Sequence, residues 1–235
     1  MKNILDTRIM TVDLEPDLRS KNCKSIELVL PKLLEFFDQQ NIKATFFTVT
    51  SLLEKYESEI KEIAKKHEIA SHSHTHSWLN KNNAEYEISQ SKKILEEHNL
   101  KCFGFRAPKF ITTKNHFSLL RKYNYQYDSS FTNKTFQINT INNISSFRFP
   151  SPSSGLSYRK LLHPISKFFP QSKLFYLHPW EFLKKSDLPK ATSLTPLLLK
   201  RNSGKKAWNL FQNIILRHPH KWISCKEYLT IINNK

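Results

Sequence analysis

The order of strand-like and helix-like segments is the feature that most constrains the fold. Apolar or β-branched runs such as 8–12 and 44–49 alternate with amphipathic segments of helical period such as 52–67 and 84–99. This alternation predicts an α/β fold, in which parallel strands are joined by helical crossovers. Residues 132–146 are rich in Asn, Thr and Lys and are predicted to form a loop or lid. With no internal repeat or linker, residues 1–235 are interpreted as one domain.

Ionisable side chains follow the predicted strands one after another. In a barrel of parallel strands, the C-terminal ends of the strands form the rim on which active sites assemble. Five predicted strands deliver such residues to this rim: Asp13 and Glu15 after 8–12, His72 and His76 after 69–70, Arg106 after 101–105, Asp128 after 125–127, and His178 after 173–177. We therefore expect these side chains to share one site.

The segment 70–77 holds three histidines within five residues. His72 and His76 are four residues apart, so a helical turn would place them on one face, close enough to bind one ion. Imidazole is the commonest metal ligand in proteins. Asp13 and Glu15 occupy alternate positions of an extended segment and therefore point to the same side. The competing interpretation is a polar loop whose histidines are only solvated.

Together these residues permit metal-assisted hydrolysis. Two histidines and one carboxylate leave an open position for water, which is the pattern of a catalytic zinc site. A second carboxylate would act as general base, and Arg106 would hold Asp13 ionised. His178 would act as general acid, with Asp128 fixing its tautomer through a hydrogen bond. A non-haem iron oxygenase also uses two histidines and one carboxylate, but it has no role for Asp13 and His178.

Five short motifs in this order resemble those of the polysaccharide deacetylases, the NodB-homology carbohydrate esterases. The matching segments are Thr11–Glu15, His72–His76, Phe105–Pro108, Tyr127–Ser130 and Leu177–Glu181. The first motif departs from the family's usual pair of adjacent aspartates, because Leu14 takes the second place. A branch of the family without signal peptides has this alternate spacing, so the resemblance makes Glu15 the ligand carboxylate.

The resemblance implies a distorted (β/α) barrel with about seven parallel strands. It also implies removal of an N-acetyl group from an amino sugar of a glycan or glycolipid precursor, with release of acetate. The expected cofactor is a divalent metal, Zn²⁺ first, with Co²⁺, Ni²⁺ or Mn²⁺ as alternatives. The implied roles are metal binding by Glu15, His72 and His76, catalysis by Asp13, His178, Arg106 and Asp128, and substrate contact by Pro108, Tyr127 and Trp180.

Net charge and composition limit the classes of binding partner that the chain can be expected to have. The formal net charge is +17, and residues 148–235 carry 16 Lys and Arg against three acidic residues. Such a field attracts an anionic membrane surface or a phosphate-bearing lipid carrier, although lysine-rich surfaces are often only solvated. Three glycines and no glycine-rich phosphate loop argue against a nucleotide-binding protein. Nucleic acid is not an expected partner.

Three widely spaced cysteines and the absence of a signal-peptide pattern before residue 8 predict a cytoplasmic protein, peripheral at the inner membrane face. Two alternatives to the deacetylase follow. One is a deformylase or deacetylase of a lipid-linked sugar at that face. The other is a non-catalytic relative that binds a glycan or polyanion.

Overall fold

The strands lie in one curled sheet, as seen in a computed structural model that describes residues 6–162, 172–190, 194–217 and 221–234. The curvature places one face of the sheet inside and the other against helices. The strands are β1 (Thr7–Leu14), β2 (Ala44–Thr48), β3 (Glu68–Ser71), β4 (Gly104–Phe105), β5 (Tyr127–Thr132), β6 (Gln137–Ile141), β7 (Ile144–Phe149), β8 (Leu174–Leu177) and β9 (Lys221–Ile223).

The sheet order is β6-β7-β5-β4-β3-β2-β1-β8, and β9 also pairs with β1. Every pairing is parallel except that of β6 with β7. Gly155, a few residues beyond β7, makes a parallel bridge to Tyr176 in β8, so the two sides of the curled sheet approach each other. The predicted distorted (β/α) barrel is confirmed.

Most helices pack on the outer face of the sheet, whereas Tyr228 and Leu229 of the C-terminal helix Cys225–Asn233 lie with the side chains that face inside. Leu33 and Phe37 of the helix Leu30–Gln39 and Phe211 of the helix Lys205–Leu216 lie in one core with outward side chains of the strands such as Val12 and Phe46. No helix of the described residues is long and apolar enough to cross a membrane. The helices are α1 (Lys24–Leu28), α2 (Leu30–Gln39), α3 (Leu53–Ala64), α4 (Ala84–Glu97), α5 (His116–Lys122), α6 (Ser151–Ser154), α7 (Leu156–Leu161), α8 (Leu194–Leu199), α9 (Lys205–Leu216) and α10 (Cys225–Asn233).

The inside of the curled sheet is filled by aromatic side chains. Successive residues of a strand point to opposite faces, so in β1 Met10 and Val12 face the helices while Ile9 faces inward. The inward cluster contains Phe47, Tyr127, Phe147, Phe149 and Tyr176. The ring of Tyr127 comes within 1.9 Å of the position that a Cβ on Gly104 would take, so only glycine fits there. The interior is therefore a packed core, and the cleft that holds the predicted site residues lies at the rim.

The prediction of a loop or lid over residues 132–146 is wrong. Most of this segment belongs to the hairpin β6–β7, whose antiparallel ladder runs from Gln137–Arg148 to Ile141–Ile144. Asn142 and Asn143 form its two-residue turn, with φ angles of 50° and 63°. Positive φ at both central residues is what a type I′ hairpin turn requires, and asparagine tolerates it well. β7 pairs with β5 and continues the barrel, so the segment is part of the sheet.

Candidate metal and catalytic site

The predicted site residues lie at the C-terminal ends of the parallel strands. Asp13 and Glu15 come from the end of β1, His72 follows β3, and His178 follows β8. These side chains, with His76 and Trp180, line a cleft of about 380 Å³. Strand ends converge here because β1 pairs with both β2 and β8, which brings distant parts of the chain to one rim.

Glu15, His72 and His76 form the one group of three metal-ligand side chains found among the described residues. Glu15 Oε2 lies 2.5 Å from His76 Nε2 and 3.5 Å from His72 Nε2, and the three ligand atoms lie within 4.8 Å of one another. The buried His76 Nε2 has no hydrogen-bond partner of acceptable geometry, despite its short distance to the carboxylate. A nitrogen lone pair and a carboxylate oxygen that converge without a proper hydrogen bond fit a shared cation.

The two histidines meet through an irregular turn, so the predicted helical turn over 72–76 is wrong. β3 ends at Ser71, and the following residues contain two positive φ angles, 68° at Ser73 and 63° at His76. The Ser73 hydroxyl accepts a hydrogen bond from the backbone N–H of His76 at 3.1 Å. This turn, which reverses the chain between the two rings, brings the ring centroids to 5.2 Å.

Glu87, which sequence reasoning missed, holds the outer side of this turn. It lies buried on α4, and its Oε2 accepts hydrogen bonds from the backbone N–H groups of His74 and Thr75 at 2.9 and 2.8 Å. The Thr75 hydroxyl donates to the other carboxylate oxygen at 2.5 Å. The sequence signal for this role is an acidic residue at a core-facing position of an amphipathic helix, beside Ala84 and Ile88.

His72 is held in one tautomer. Its Nδ1 lies 2.8 Å from the backbone carbonyl oxygen of Arg106, which can only accept, so Nδ1 carries the hydrogen. The Nε2 lone pair therefore faces Glu15. Burial opposes ionisation of Glu15, but the charges of His76 and His178 outweigh it. Together they hold the pKa of Glu15 well below its usual value.

Asp13 lies beside the ligands and is held by a buried cation. Arg106 Nη1 donates to Asp13 Oδ1 at 2.5 Å and to Thr11 Oγ1 at 3.1 Å. Its remaining nitrogens donate to the carbonyl and hydroxyl of Ser129 at 3.1 and 2.8 Å. The guanidinium also lies 4.1 Å from the centre of the Phe47 ring. Asp13 is thus fixed in orientation, with Oδ2 left facing the cleft.

His178 approaches from the other side of the cleft. Its Nε2 lies 3.7 Å from Asp13 Oδ2 and 3.9 Å from Glu15 Oε1, while Nδ1 lies 3.0 Å from Glu181 Oε1. Burial alone would lower its pKa, but Glu15, Glu181 and Asp13 together raise the pKa of His178 to about 9. Ser157 donates to Glu181 and positions it. This ring is therefore protonated at neutral pH and can donate a proton.

The predicted hydrogen bond between Asp128 and His178 is wrong. Asp128 is fully buried, and its Oδ1 pairs with His116 Nε2 at 2.8 Å and accepts from the Ser130 hydroxyl at 2.6 Å. Ser130 in turn accepts from the backbone N–H of Ala107. Asp128 therefore braces the strand end that carries Arg106. Glu181 takes the place that Asp128 was expected to have.

Two of the three predicted substrate contacts lie outside the cleft. Tyr127 is fully buried in the aromatic interior, and its hydroxyl donates to Glu68 Oε1 at 2.8 Å, so it offers no face to a sugar. Pro108 is buried at the start of the 3-10 turn Pro108–Phe110. Trp180 does line the cleft, but its ring stacks on His178 and its indole N–H donates to Glu15 Oε1 at 3.0 Å. Its observed contacts orient the site residues.

Fold and site together define an α/β barrel protein with a candidate metal centre and an acid–base pair on the C-terminal rim. The sequence model of the family described as polysaccharide deacetylase matches residues 9–127, just over half of the chain. The chain belongs to the polysaccharide deacetylase family. This membership supports its assignment as a carbohydrate deacetylase. No curated protein sequence matches the chain.

Solved structures share the fold at low sequence identity. The Bc1960 peptidoglycan N-acetylglucosamine deacetylase, bound to an N-hydroxybenzamide compound, is 16% identical with a TM-score of 0.58, over 95% of this chain and 87% of its own. A CE4 family pseudoenzyme from Bacillus anthracis is 14% identical, TM-score 0.60, over 95% and 65%. Puue allantoinase is 12% identical, TM-score 0.63, over 94% and 88%. Because one fold serves such different proteins, the function must be argued from the site.

Proposed function

We propose that the protein is a metal-dependent hydrolase that removes an N-acetyl group from an amino sugar and releases acetate. One observation carries this proposal. The ligand group of Glu15, His72 and His76 shares one cleft with a carboxylate fixed by a buried arginine and with a histidine paired to Glu181. Amide hydrolysis needs a base for the attacking water and an acid for the departing nitrogen, and the cleft holds both.

The attacking side of the reaction belongs to Asp13. A divalent metal held by Glu15, His72 and His76 would lower the pKa of a bound water and polarise the acyl carbonyl. Asp13 Oδ2 faces the cleft and accepts the proton that the attacking water loses. Arg106 prevents the carboxylate from rotating, because it holds the other oxygen from inside the barrel.

The leaving side belongs to His178. An amine is a poor leaving group unless its nitrogen gains a proton as the carbon–nitrogen bond breaks. His178 Nε2 supplies this proton, while Glu181 on Nδ1 stabilises the charged ring beforehand. Trp180 stacks against the imidazole with centroids 4.9 Å apart and keeps it directed at the cleft.

The donor set favours Zn²⁺, since two imidazoles and one carboxylate are its usual catalytic ligands, and Co²⁺, Ni²⁺ and Mn²⁺ remain alternatives. The test measures metal content and the release of acetate from N-acetylglucosamine oligomers. We expect about one metal per chain, since the described residues hold one such ligand group. His72→Ala should lose both metal and turnover, while a matched change at the neighbouring His74, which contacts Thr50 instead, should lose neither. Full activity in metal-depleted protein would refute the proposal.

A non-catalytic relative is the competing function, and a pseudoenzyme with this fold makes it relevant. The orientation of Asp13 by Arg106 and of His178 by Glu181 favours a catalyst, since a glycan-binding protein has no need of a fixed acid and base. Glycan binding without acetate release at saturating metal would support the binder. Allantoin belongs in the substrate panel because an allantoinase shares the fold.

A location in the cytoplasm is part of the proposal. Cys23, Cys102 and Cys225 are all unpaired, which suits a reducing compartment.

A further inference from the structure

One wall of the cleft exposes large apolar side chains to solvent. This wall consists of α7 and α8 with the residues that follow each helix. Leu161, Leu198 and Leu199 line the cleft itself. Leu162 and Leu197 are not among the residues that line it, and they are 38% and 59% exposed. Soluble proteins rarely leave a contiguous apolar patch beside a binding cleft unless something covers it.

The wall is built as one unit. Lys160 is fully buried, and its Nζ donates to the carbonyl of Leu199 and to the Ser203 hydroxyl at 2.8 Å. It therefore ties α7 to the end of α8. The same Nζ lies 5.2 Å from the centre of the Trp180 ring, so the wall is anchored to the residue that contacts Glu15.

The wall and α9, which packs against α7, are also cationic. The segments 151–162 and 194–217 contain seven Lys and Arg residues and no acidic residue. The two acidic residues between them do not offset this charge at the surface, since Glu181 is fully buried and Asp187 lies 3.7 Å from Lys24. Two of the seven, Arg159 and Lys160, are buried, and the cations at the surface are Lys200, Arg201, Lys205, Lys206 and Arg217.

We infer that this wall docks on an anionic lipid bilayer and that the substrate is an amino sugar linked to a lipid, an inference that rests on the proposed function. Apolar side chains enter the boundary between headgroups and acyl chains, while nearby cations attract anionic headgroups. A polyanion such as nucleic acid would use the cations but would gain nothing from the leucines. A second copy of this chain would bring equal positive charge against the wall.

The cleft is continuous from the ligand group to the wall. Glu15 and His76 lie at one part of it, and Tyr158 and Leu198 line another. A sugar whose amide reaches Asp13 and His178 can therefore leave its lipid portion along the leucines. A soluble polysaccharide would need a polar groove there instead, with groups able to hydrogen-bond its hydroxyls.

The test is co-sedimentation of the purified chain with vesicles of phosphatidylcholine alone or with added phosphatidylglycerol, at low and high salt. We expect binding to the anionic vesicles only, weakened by salt as surface charge is screened. Leu162→Gln and Leu197→Gln should each weaken it roughly fivefold to tenfold, as expected for a leucine that no longer leaves water. Leu28→Gln on α1, a leucine of matching exposure away from the cleft, should change nothing.

The outcomes separate this inference from the proposed function. His72→Ala should bind vesicles like the unaltered chain, because the wall does not depend on the metal. Acetate release from a soluble amino sugar without any vesicle binding would overturn the membrane inference and leave the function standing. Vesicle binding that Leu162→Gln and Leu197→Gln leave unchanged, or binding to heparin alone, would also overturn it. Vesicle binding without hydrolysis of any sugar would instead refute the function.

Discussion

Removal of the Glu87 carboxylate should weaken metal binding without touching a ligand. Glu87 contacts neither His72 nor His76, but it accepts the backbone N–H groups of His74 and Thr75, which lie between them. The turn has two positive φ angles and is not stabilised by regular secondary structure. Glu87→Ala therefore leaves the turn that presents both histidines without its main support.

The structure sets the size of the effect. Each backbone N–H that loses a buried carboxylate costs about 1–3 kcal/mol, with the lower end applying here because Thr75 is exposed to water. Two such groups destabilise the ordered turn by about 2 kcal/mol. Metal binds only the ordered turn, so apparent affinity should fall by up to roughly thirtyfold. This agrees with the 10–100-fold effect typical of residues that support metal ligands, and Glu87→Gln, which keeps one acceptor, should lose less.

The assay is competition for Zn²⁺ against a chromophoric chelator, with the melting temperature of the chelated protein measured in parallel. Glu85→Gln is the matched control, because Glu85 lies on the same helix but is exposed and pairs with Lys122. Its metal affinity should equal that of the unaltered chain. If Glu87→Ala lowers the melting temperature but keeps full metal affinity, the carboxylate only supports the fold and the reasoning is refuted.

Three further predictions concern the acid, the base and a buried histidine. Asp13→Asn should slow turnover on the order of 10²–10⁴-fold and keep its metal, whereas Glu15→Ala should lose the metal; the reverse pattern would exchange their roles. His178→Ala should cripple hydrolysis of an N-acetylated sugar but largely spare an activated aryl acetate, whose leaving group needs no proton; equal losses on both, with loss of metal, would contradict the general acid. Burial, helped by Lys43, lowers the pKa of His67 to about 4, so its neutral form favours the fold and this stability is lost as pH falls from about 6.5 towards 4. The free energy of unfolding, measured with urea, should therefore fall less between pH 7 and pH 5 for His67→Gln than for the unaltered chain. An equal fall in both would exclude His67 as the cause.

The histidine turn shows how far local sequence reasoning extends. The alternation rule correctly placed Asp13 and Glu15 on one side of β1, because side-chain direction in a strand depends only on position. The closeness of His72 and His76 was also predicted, but through a helix that does not form. The positive φ angles at Ser73 and His76 could not be predicted from the sequence, since neither residue is glycine or asparagine. The turn exists because tertiary hydrogen bonds hold it.

The hydrogen-bond partners that tertiary packing brings to the site residues were the least predictable part of the site. Glu181 was within the quoted motif, yet its pairing with His178 depends on the 3-10 turn Pro179–Phe182 and was assigned to Asp128 instead. Asp128 meets His116 because α5 packs beside β5, a contact that no spacing indicates. The hairpin turn at Asn142–Asn143 was also missed, although two asparagines that tolerate positive φ between possible strands are a signal that could have indicated it.

Arg106 joins the two halves of the site and explains why an arginine is needed there. Its backbone carbonyl fixes the tautomer of His72, and its side chain orients Asp13, so one residue sets both the metal ligand and the base. The guanidinium donates at once to Asp13, Thr11 and Ser129 from a fully buried position. A lysine offers one point charge on a flexible stem and cannot hold three acceptors in a fixed plane, and burying its ammonium among aromatic rings would shift its charge state. Because a buried cation without its partner is costly, Asp13 and Arg106 must be retained together, which ties the position of the base to the stability of the barrel interior.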